Sequence, residues 1–179
     1  IAHVQGGEIT GTIDESIRHA VSKLSHIHFP SNKDAARRII KMGEDPKMVF
    51  EVGCPYIDLI KSTKFLTKNQ LSKKYYFDKE KKLIIFTQHP VTTEFGYSLI
   101  QVKKTINALK KFKDCEIICL YSNADSGGKE IIKYINKQKN FKIIPNMISK
   151  DFLSLMSCAD IMVGNSSAGI REAPSFNLR

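Results

Sequence analysis

Between Leu83 and Glu172 the chain alternates short apolar runs rich in Ile, Val and Phe with stretches of helical period, and this alternation constrains its fold more than any other feature. The spacing predicts strands at Leu83–Thr87, Glu116–Tyr121, Lys142–Ile144 and Asp160–Val163. Helices are predicted at about Tyr97–Lys111, Lys129–Lys137 and Ser149–Met156, with another starting at Ala168–Glu172. Apolar strands that alternate with helices are buried on both faces, which implies an α/β fold whose parallel sheet is wound by right-handed crossovers. Ligands of such sheets bind beyond the carboxyl ends of the strands, so chemistry is expected in the loops after Phe86, Tyr121 and Val163.

The first sixty residues are less regular. Ile1–Gln5 reads as a strand that meets Gly6-Gly7 with no turn before it, so the N-terminus is expected to be cut within a domain. Thr12-Ile13-Asp14-Glu15 offers caps for a helix over Ser16–Ser25, with Ile17, Ala20, Val21 and Leu24 at helical spacing. A strand at Ile27–Phe29, a helix at Asn32–Met42 and a strand at Met48–Val52 follow. Ile60–Lys82 is the most polar, lysine-rich stretch and reads as a linker with a short helix. The expected boundaries are residues 1–61 for a first domain, 62–82 for the linker and 83–179 for a second domain.

Composition narrows the partners. With 42% hydrophobic and 26% charged residues in 179, the chain is globular rather than disordered or fibrous. No window reaches the roughly 18 uncharged apolar residues of a bilayer span, and Ile1–Gln5 lacks a signal-peptide pattern, so the expected compartment is the cytoplasm with no membrane partner. A net charge of +10 admits nucleic acid, anionic membranes or phosphorylated small molecules. The excess is mostly lysine scattered along amphipathic stretches, as at Lys103, Lys104, Lys110, Lys111, Lys113, Lys133, Lys137 and Lys139. Without arginine clusters and interleaved aromatics, these read as solvated helix faces and no nucleic-acid partner is expected. Cys54, Cys115, Cys119 and Cys158 form no CxxC pair and read as free thiols, not as zinc ligands.

Three polar loops carry the candidate chemistry. They are Thr87-Gln88-His89-Pro90 with Thr92-Thr93-Glu94, then Ser122–Gly128, then Gly164-Asn165-Ser166-Ser167-Ala168-Gly169-Ile170. In the last, small residues lead from a strand into a helix, where N–H groups, hydroxyls and the helix dipole favour a phosphate; a plain helix cap reads equally simply. Glu172, expected on that helix's first turn, either stabilises the dipole or accepts hydrogen bonds from ribose hydroxyls. Near the N-terminus stand Glu8, Asp14, Glu15, Arg18, His19, His26 and His28. His3, His26 and His28 read as structural. Glu8 follows paired glycines at a strand end, and Asp14 either caps its helix or joins Glu8 in acid and base work.

These motifs resemble one family. Ala2-His3-Val4-Gln5-Gly6-Gly7-Glu8, Gly11-Thr12-Ile13-Asp14-Glu15-Ser16-Ile17-Arg18-His19-Ala20 and Lys23-Leu24-Ser25-His26-Ile27-His28-Phe29 are similar to the hydrolysing UDP-N-acetylglucosamine 2-epimerases. The likeness continues through Met42-Gly43-Glu44, Gly53-Cys54-Pro55-Tyr56-Ile57-Asp58 and Gln88-His89-Pro90-Val91-Thr92-Thr93-Glu94, and closes with Val163–Glu172. It implies a GT-B-like architecture of two Rossmann-like domains with parallel sheets, the nucleotide sugar in the cleft and no cofactor or metal. Two such domains need roughly 150 or more residues apiece, so the chain is expected to be a partial copy with the N-terminal domain incomplete. Ser175–Arg179 departs from the family's continuation or abbreviates it.

The resemblance also implies roles. Family members eliminate UDP across the anomeric carbon and its neighbour, then hydrate the glycal so that the acetamido-bearing centre is inverted. By motif, Glu8 and Asp14 are the acid/base carboxylates and His89 faces the departing diphosphate. Ser166, Ser167, Gly169 and Glu172 match residues that hold phosphate and ribose, and Asn123 lies in a loop lining the nucleotide site. For Arg18 and His19, a sugar contact and a structural salt bridge both stay open. The implied reaction converts UDP-N-acetylglucosamine and water to N-acetylmannosamine and UDP in sialic-acid synthesis, in a homo-oligomer of the full-length enzyme. The Gly-Gly-Glu and Arg-His-Ala motifs favour the hydrolysing group over the non-hydrolysing one. UDP-N,N'-diacetylbacillosamine as substrate, a GT-B glycosyltransferase and a UDP-binding fragment without turnover are the alternatives.

Overall fold

A computed structural model describes every residue except Thr12, Thr92 and Phe95. The chain divides into two compact units, Ile1–Lys61 and Ser62–Arg179.

In the first unit β1 (Ala2–Val4) and β2 (Ile27–Phe29) pair in parallel, with His3 opposite His28. Between them runs α1 (Ile13–Lys23), which begins three residues earlier than its apolar period suggests because Asp14 and Glu15 suit a first turn. Thr12, expected among its capping residues, lies outside the described residues. After β2, Asn32 accepts a hydrogen bond from the Ala35 N–H (2.9 Å) and starts α2 (Lys33–Lys41). The strand expected at Met48–Val52 is a correction. Pro46–Met48 forms a 3-10 turn capped by Asp45, and only Val49 bridges His28. The helix α3 (Pro55–Ser62) has no counterpart in the expected elements; Pro55 supplies its first residue.

The second unit holds a four-stranded parallel sheet of β3 (Lys82–Thr87), β4 (Cys115–Leu120), β5 (Lys142–Ile144) and β6 (Ile161–Gly164), ordered β5-β4-β3-β6. The chain therefore steps outward from β3 to β5 and then returns to the other side of β3. That reversal makes the edge between β3 and β6 a topological switch point. Ile84, Phe86, Ile117 and Cys119 form a core with Val102, Ile106 and Leu109 of α5 (Ser98–Leu109) and Ile131 and Ile135 of α6 (Gly128–Ile135). Leu83, Ile85 and Ile118 alternate to the opposite face and are also fully buried, as strands covered on both sides require. The lysines named above are exposed.

The stretch expected as a linker packs as part of this unit. Thr67 and Gln70 form a reciprocal capping box that opens α4 (Lys68–Tyr75). Leu71 is fully buried, Lys74 Nζ meets Asp151 Oδ2 at 2.5 Å, and the Tyr75 hydroxyl donates to the same carboxylate. The Leu66 N–H donates to Ser154 Oγ (2.9 Å), so this lysine-rich segment is tied to α7 (Ser149–Cys158). Composition made it look solvated; one buried leucine and a few polar contacts suffice to fold it. Among the described residues no helix is long and apolar enough to cross a membrane. The cysteines are unbridged, and burial pushes the Cys119 thiol up to about 12.

Candidate functional site

The candidate residues fall into two groups, one in each unit. In the first, Gly7 takes φ +80 and lies so close to α2 that a Cβ would sit 2.4 Å from the Ala35 carbonyl oxygen. Only glycine fits there, and the chain leaves it with Glu8 against the start of α2. Ser31 Oγ donates to Glu8 Oε1 at 2.7 Å. Two guanidinium groups hold the main chain of the same turn: Arg18 Nη1 donates to the Glu8 carbonyl (2.9 Å) and Arg38 to the Gly7 carbonyl. Arg18 is thus a brace for the Glu8 turn. Arg38 and Ser31 were missed in the sequence; their signal is spacing, since α2 follows a strand parallel to the one carrying Glu8.

Asp14 stands in the exposed first turn of α1. His19 lies one turn on, with Nε2 3.9 Å from Glu15 Oε1 and a buried Nδ1 that has no hydrogen-bond partner among the described residues. Glu15 itself accepts from the Thr10 and Gly11 N–H groups at 2.8 and 2.7 Å. Those bonds, that of Gly11 foremost, lower its pKa.

In the second unit three loops meet at the switch point. Gly164 pairs with Thr87 at φ +139, where a Cβ would lie 1.7 Å from the Thr87 carbonyl oxygen. This close pairing sets the residues after β3 beside those after β6. Asn165 Oδ1 accepts from the His89 N–H (2.7 Å) while Asn165 Nδ2 donates to the His89 carbonyl (2.9 Å). From the loop after β4, the Asn123 N–H donates to His89 Nδ1 at 3.0 Å. An imidazole nitrogen that accepts from an amide is unprotonated, so His89 carries its proton on Nε2. Burial lowers its pKa, although the nearby Asp125 carboxylate opposes this, and the ring favours the neutral form. The Asn123 side chain donates to Asp125 Oδ2 (2.5 Å).

The segment after β6 differs from expectation in its length. The helix α8 covers only Ala168–Arg171, one turn, so its dipole is slight. Its Gly169 and Ile170 N–H groups already donate to the Ser166 and Ser167 carbonyls, both at 3.0 Å. Ser166 and Ser167 therefore offer hydroxyls more than amides. Glu172, expected on the first turn, instead follows the last, where a negative charge gains nothing from the dipole. Its side chain is buried, and Oε2 has no hydrogen-bond partner among the described residues. Burial raises its pKa despite neighbouring Arg171. A buried acceptor without a donor is suited to a hydroxyl-bearing ligand.

Beside this loop lies an open pocket of about 210 Å³, lined by Thr87, Leu120, Tyr121, Pro145, Asn146, Met147, Phe152 and Ser166. Pro145–Met147 follow β5, a strand end that the sequence reading passed over although the carboxyl-end rule applies to it equally. Among the described residues no group of three or more His, Cys, Asp or Glu side chains is arranged to hold a metal ion.

Comparison with known proteins places this geometry. A family model described as UDP-N-acetylglucosamine 2-epimerase matches residues 1–179. The chain is 39% identical over 181 residues to the UDP-N,N'-diacetylbacillosamine 2-epimerase (hydrolyzing) of Legionella pneumophila, a match covering 99% of this chain and 48% of that protein. It is 38% identical over 180 residues to the UDP-N-acetylglucosamine 2-epimerase of Neisseria meningitidis serogroup B, covering 99% of this chain and 47% of that one. The chain thus spans about half the length of these relatives. A crystal structure of UDP-GlcNAc 2-epimerase from Neisseria meningitidis bound to UDP-GlcNAc matches with a TM-score of 0.78 at 20% identity, over 99% of this chain and 51% of that one. The fold is accordingly α/β and GT-B-like, built of Rossmann-like units with parallel sheets.

Proposed function

Because the chain belongs to the UDP-N-acetylglucosamine 2-epimerase family, we propose that it acts as a hydrolysing 2-epimerase on a UDP-linked 2-acetamido sugar. In the leading reading the substrate is UDP-N-acetylglucosamine and the products are N-acetylmannosamine and UDP, at the entry to sialic-acid synthesis. The 39% identity to a hydrolysing diacetylbacillosamine enzyme supports UDP-N,N'-diacetylbacillosamine as the second reading.

The observation that carries the reading is the forced tautomer of His89, whose Nδ1 accepts from the Asn123 N–H so that Nε2–H is left as the donor. In the first step a carboxylate, Glu8 or Asp14, takes the proton from C2 while the C1–O bond to UDP breaks. The C–H electron pair becomes the double bond of a glycal, and UDP leaves with the C1–O pair. His89 Nε2–H donates to the diphosphate as its charge grows. One such donor in a preorganised site is worth about 10²–10³ in rate. Water then adds at C1, and a proton returns to C2 on the other face from the second carboxylate.

The remaining residues would hold the nucleotide. The Ser166 and Ser167 hydroxyls meet the phosphates, and Gly169 presents no side chain against them. Glu172 Oε2 accepts from ribose hydroxyls, and the pocket between Tyr121 and Phe152 takes the base. Arg18 and His19 support the Glu8 turn and the helix beneath it, and Asn123 orients His89 through its main chain.

The test is product analysis with both nucleotide sugars in deuterated water. Free sugar inverted at C2, carrying solvent deuterium there, together with UDP is the expected result. Turnover of neither sugar, or product without deuterium at C2, would overturn it. A glycosyltransferase would instead pass the sugar to an acceptor with its C2 hydrogen retained, and a Glu8→Gln variant of full activity would exclude elimination through Glu8.

A further inference from the structure

We propose that Asn165 is a positioning residue for His89, one that couples the nucleotide-holding loop after β6 to the leaving-group donor after β3. The proposal rests on the role assigned to His89 above. Both main-chain hydrogen-bonding groups of His89 end on the single side-chain amide of Asn165, the N–H on Oδ1 at 2.7 Å and the carbonyl on Nδ2 at 2.9 Å. Of the short side chains only asparagine offers an acceptor and a donor at that separation; aspartate offers acceptors alone. The pairing also fixes which way the amide faces.

The lock is completed from a third loop. With the main chain of His89 held from β6, its ring is held from β4 through the Asn123 N–H on Nδ1. Remove the Asn165 pair and the residue hinges about the end of β3, so the 3.0 Å bond to Nδ1 has nothing to keep it short. The imidazole then samples both tautomers, and half or more of its population presents a lone pair, not a proton, at Nε2. Gly164 explains why the pair forms at all. Its pairing with Thr87, too close for any Cβ, sets residue 165 alongside residue 89. Ser166, the next residue, lines the pocket, so one segment carries the nucleotide contact and the His89 brace together.

The experiment compares Asn165→Ala and Asn165→Asp with the parent chain. Long-range ¹⁵N–¹H spectra of the histidine rings read tautomer and titration, with a His89→Gln variant assigning the signal among the five histidines. In the parent, Nδ1 of His89 is expected as the unprotonated nitrogen, with a midpoint below 6.5. In both variants the signal moves toward a mixture of tautomers and the midpoint rises. Turnover falls about 10- to 100-fold, as displaced catalytic groups do, while KM and the calorimetric Kd for UDP stay within about threefold. An unchanged ring signal in a folded variant overturns the proposal, as does a loss carried by KM with kcat intact. If Asn165→Ala fails to fold, Asn165→Asp retains the N–H acceptor and the side-chain volume and decides the question by the same spectra. Should the parent turn over no UDP-sugar, the functional reading fails, yet the ring spectra still report whether Asn165 holds His89.

Discussion

The two units place apolar residues at the same helical spacing and treat them in opposite ways. In the second unit Val102, Ile106 and Leu109 of α5 and Ile131 and Ile135 of α6 lie at 0–3% exposure. In the first, Ile13, Ile17, Val21 and Leu24 of α1 are 61, 55, 38 and 70% exposed. Helical period therefore predicts a helix in both cases but burial in only one. A stripe of small moment on α5 is covered by a four-stranded sheet, whereas α1 stands beside two strands of three residues each. Cooperative stability should accordingly reside in the second unit, and the first should open at lower free energy.

The most damaging way to break this contrast is at the strand edge. Gly164→Ala forces a Cβ onto the Thr87 carbonyl at a φ of +139, so β6 must part from β3. A loss of more than about 4 kcal/mol is expected, read as a shift of the denaturation midpoint or as failure to fold. Gly53→Ala in the first unit also meets a positive φ, but nothing lies within 4 Å, and about 1 kcal/mol is expected. Next in size is the core. Phe86→Ala should cost about 3–5 kcal/mol, since Phe86 is fully buried, while Ile17→Ala on α1 should stay within about 0.5 kcal/mol. Equal losses at the two positions would mean that α1 is buried against a partner in solution.

Legibility from sequence follows the same division. The strands and helices of the second unit fall within a residue or two of their predicted ends, because continuous apolar runs and helical period were both present there. The first unit was less readable. Met48–Val52 has strand-forming residues, yet Pro46 and the Asp45 cap turn the chain before it can pair beyond Val49. At the candidate site, the loops were legible as turn-forming clusters at strand ends. Ser31, Arg38 and Asn165 were not, because each acts by reaching a main-chain group or a carboxylate that is adjacent only once the strands pair in register.

A smaller effect separates glycines by purpose. Gly7 is pressed on Ala35, so its lack of a side chain serves packing. Gly169 meets nothing within 4 Å and has no positive φ. Gly169→Ala should therefore leave stability unchanged or raise it, by at most about 1 kcal/mol, since alanine favours helix. If a phosphate approaches the backbone there, the Kd for UDP rises about tenfold, roughly 1.4 kcal/mol. Calorimetry on a variant with an unshifted melting temperature checks this, and unchanged UDP affinity would remove Gly169 from the phosphate site.

The finest test uses pH. Burial raises the pKa of Glu172 above its ordinary 4.5, so the folded chain keeps a proton that the unfolded chain has lost. Where the folded state binds more protons, stability falls as pH rises. The contribution of Glu172 is thus full below about pH 4.5 and lost progressively as pH climbs through the raised value. Ribose hydroxyls that donate to Oε2 favour the ionised carboxylate, so UDP affinity should climb over the same window in which stability declines. Glu172→Gln is neutral at every pH and should flatten both slopes. Thermal melts and UDP calorimetry from pH 4.5 to 7.5 read the two together. Parallel slopes, or an affinity that stays flat in the parent chain, would mean that Glu172 is buried for packing and touches no ribose.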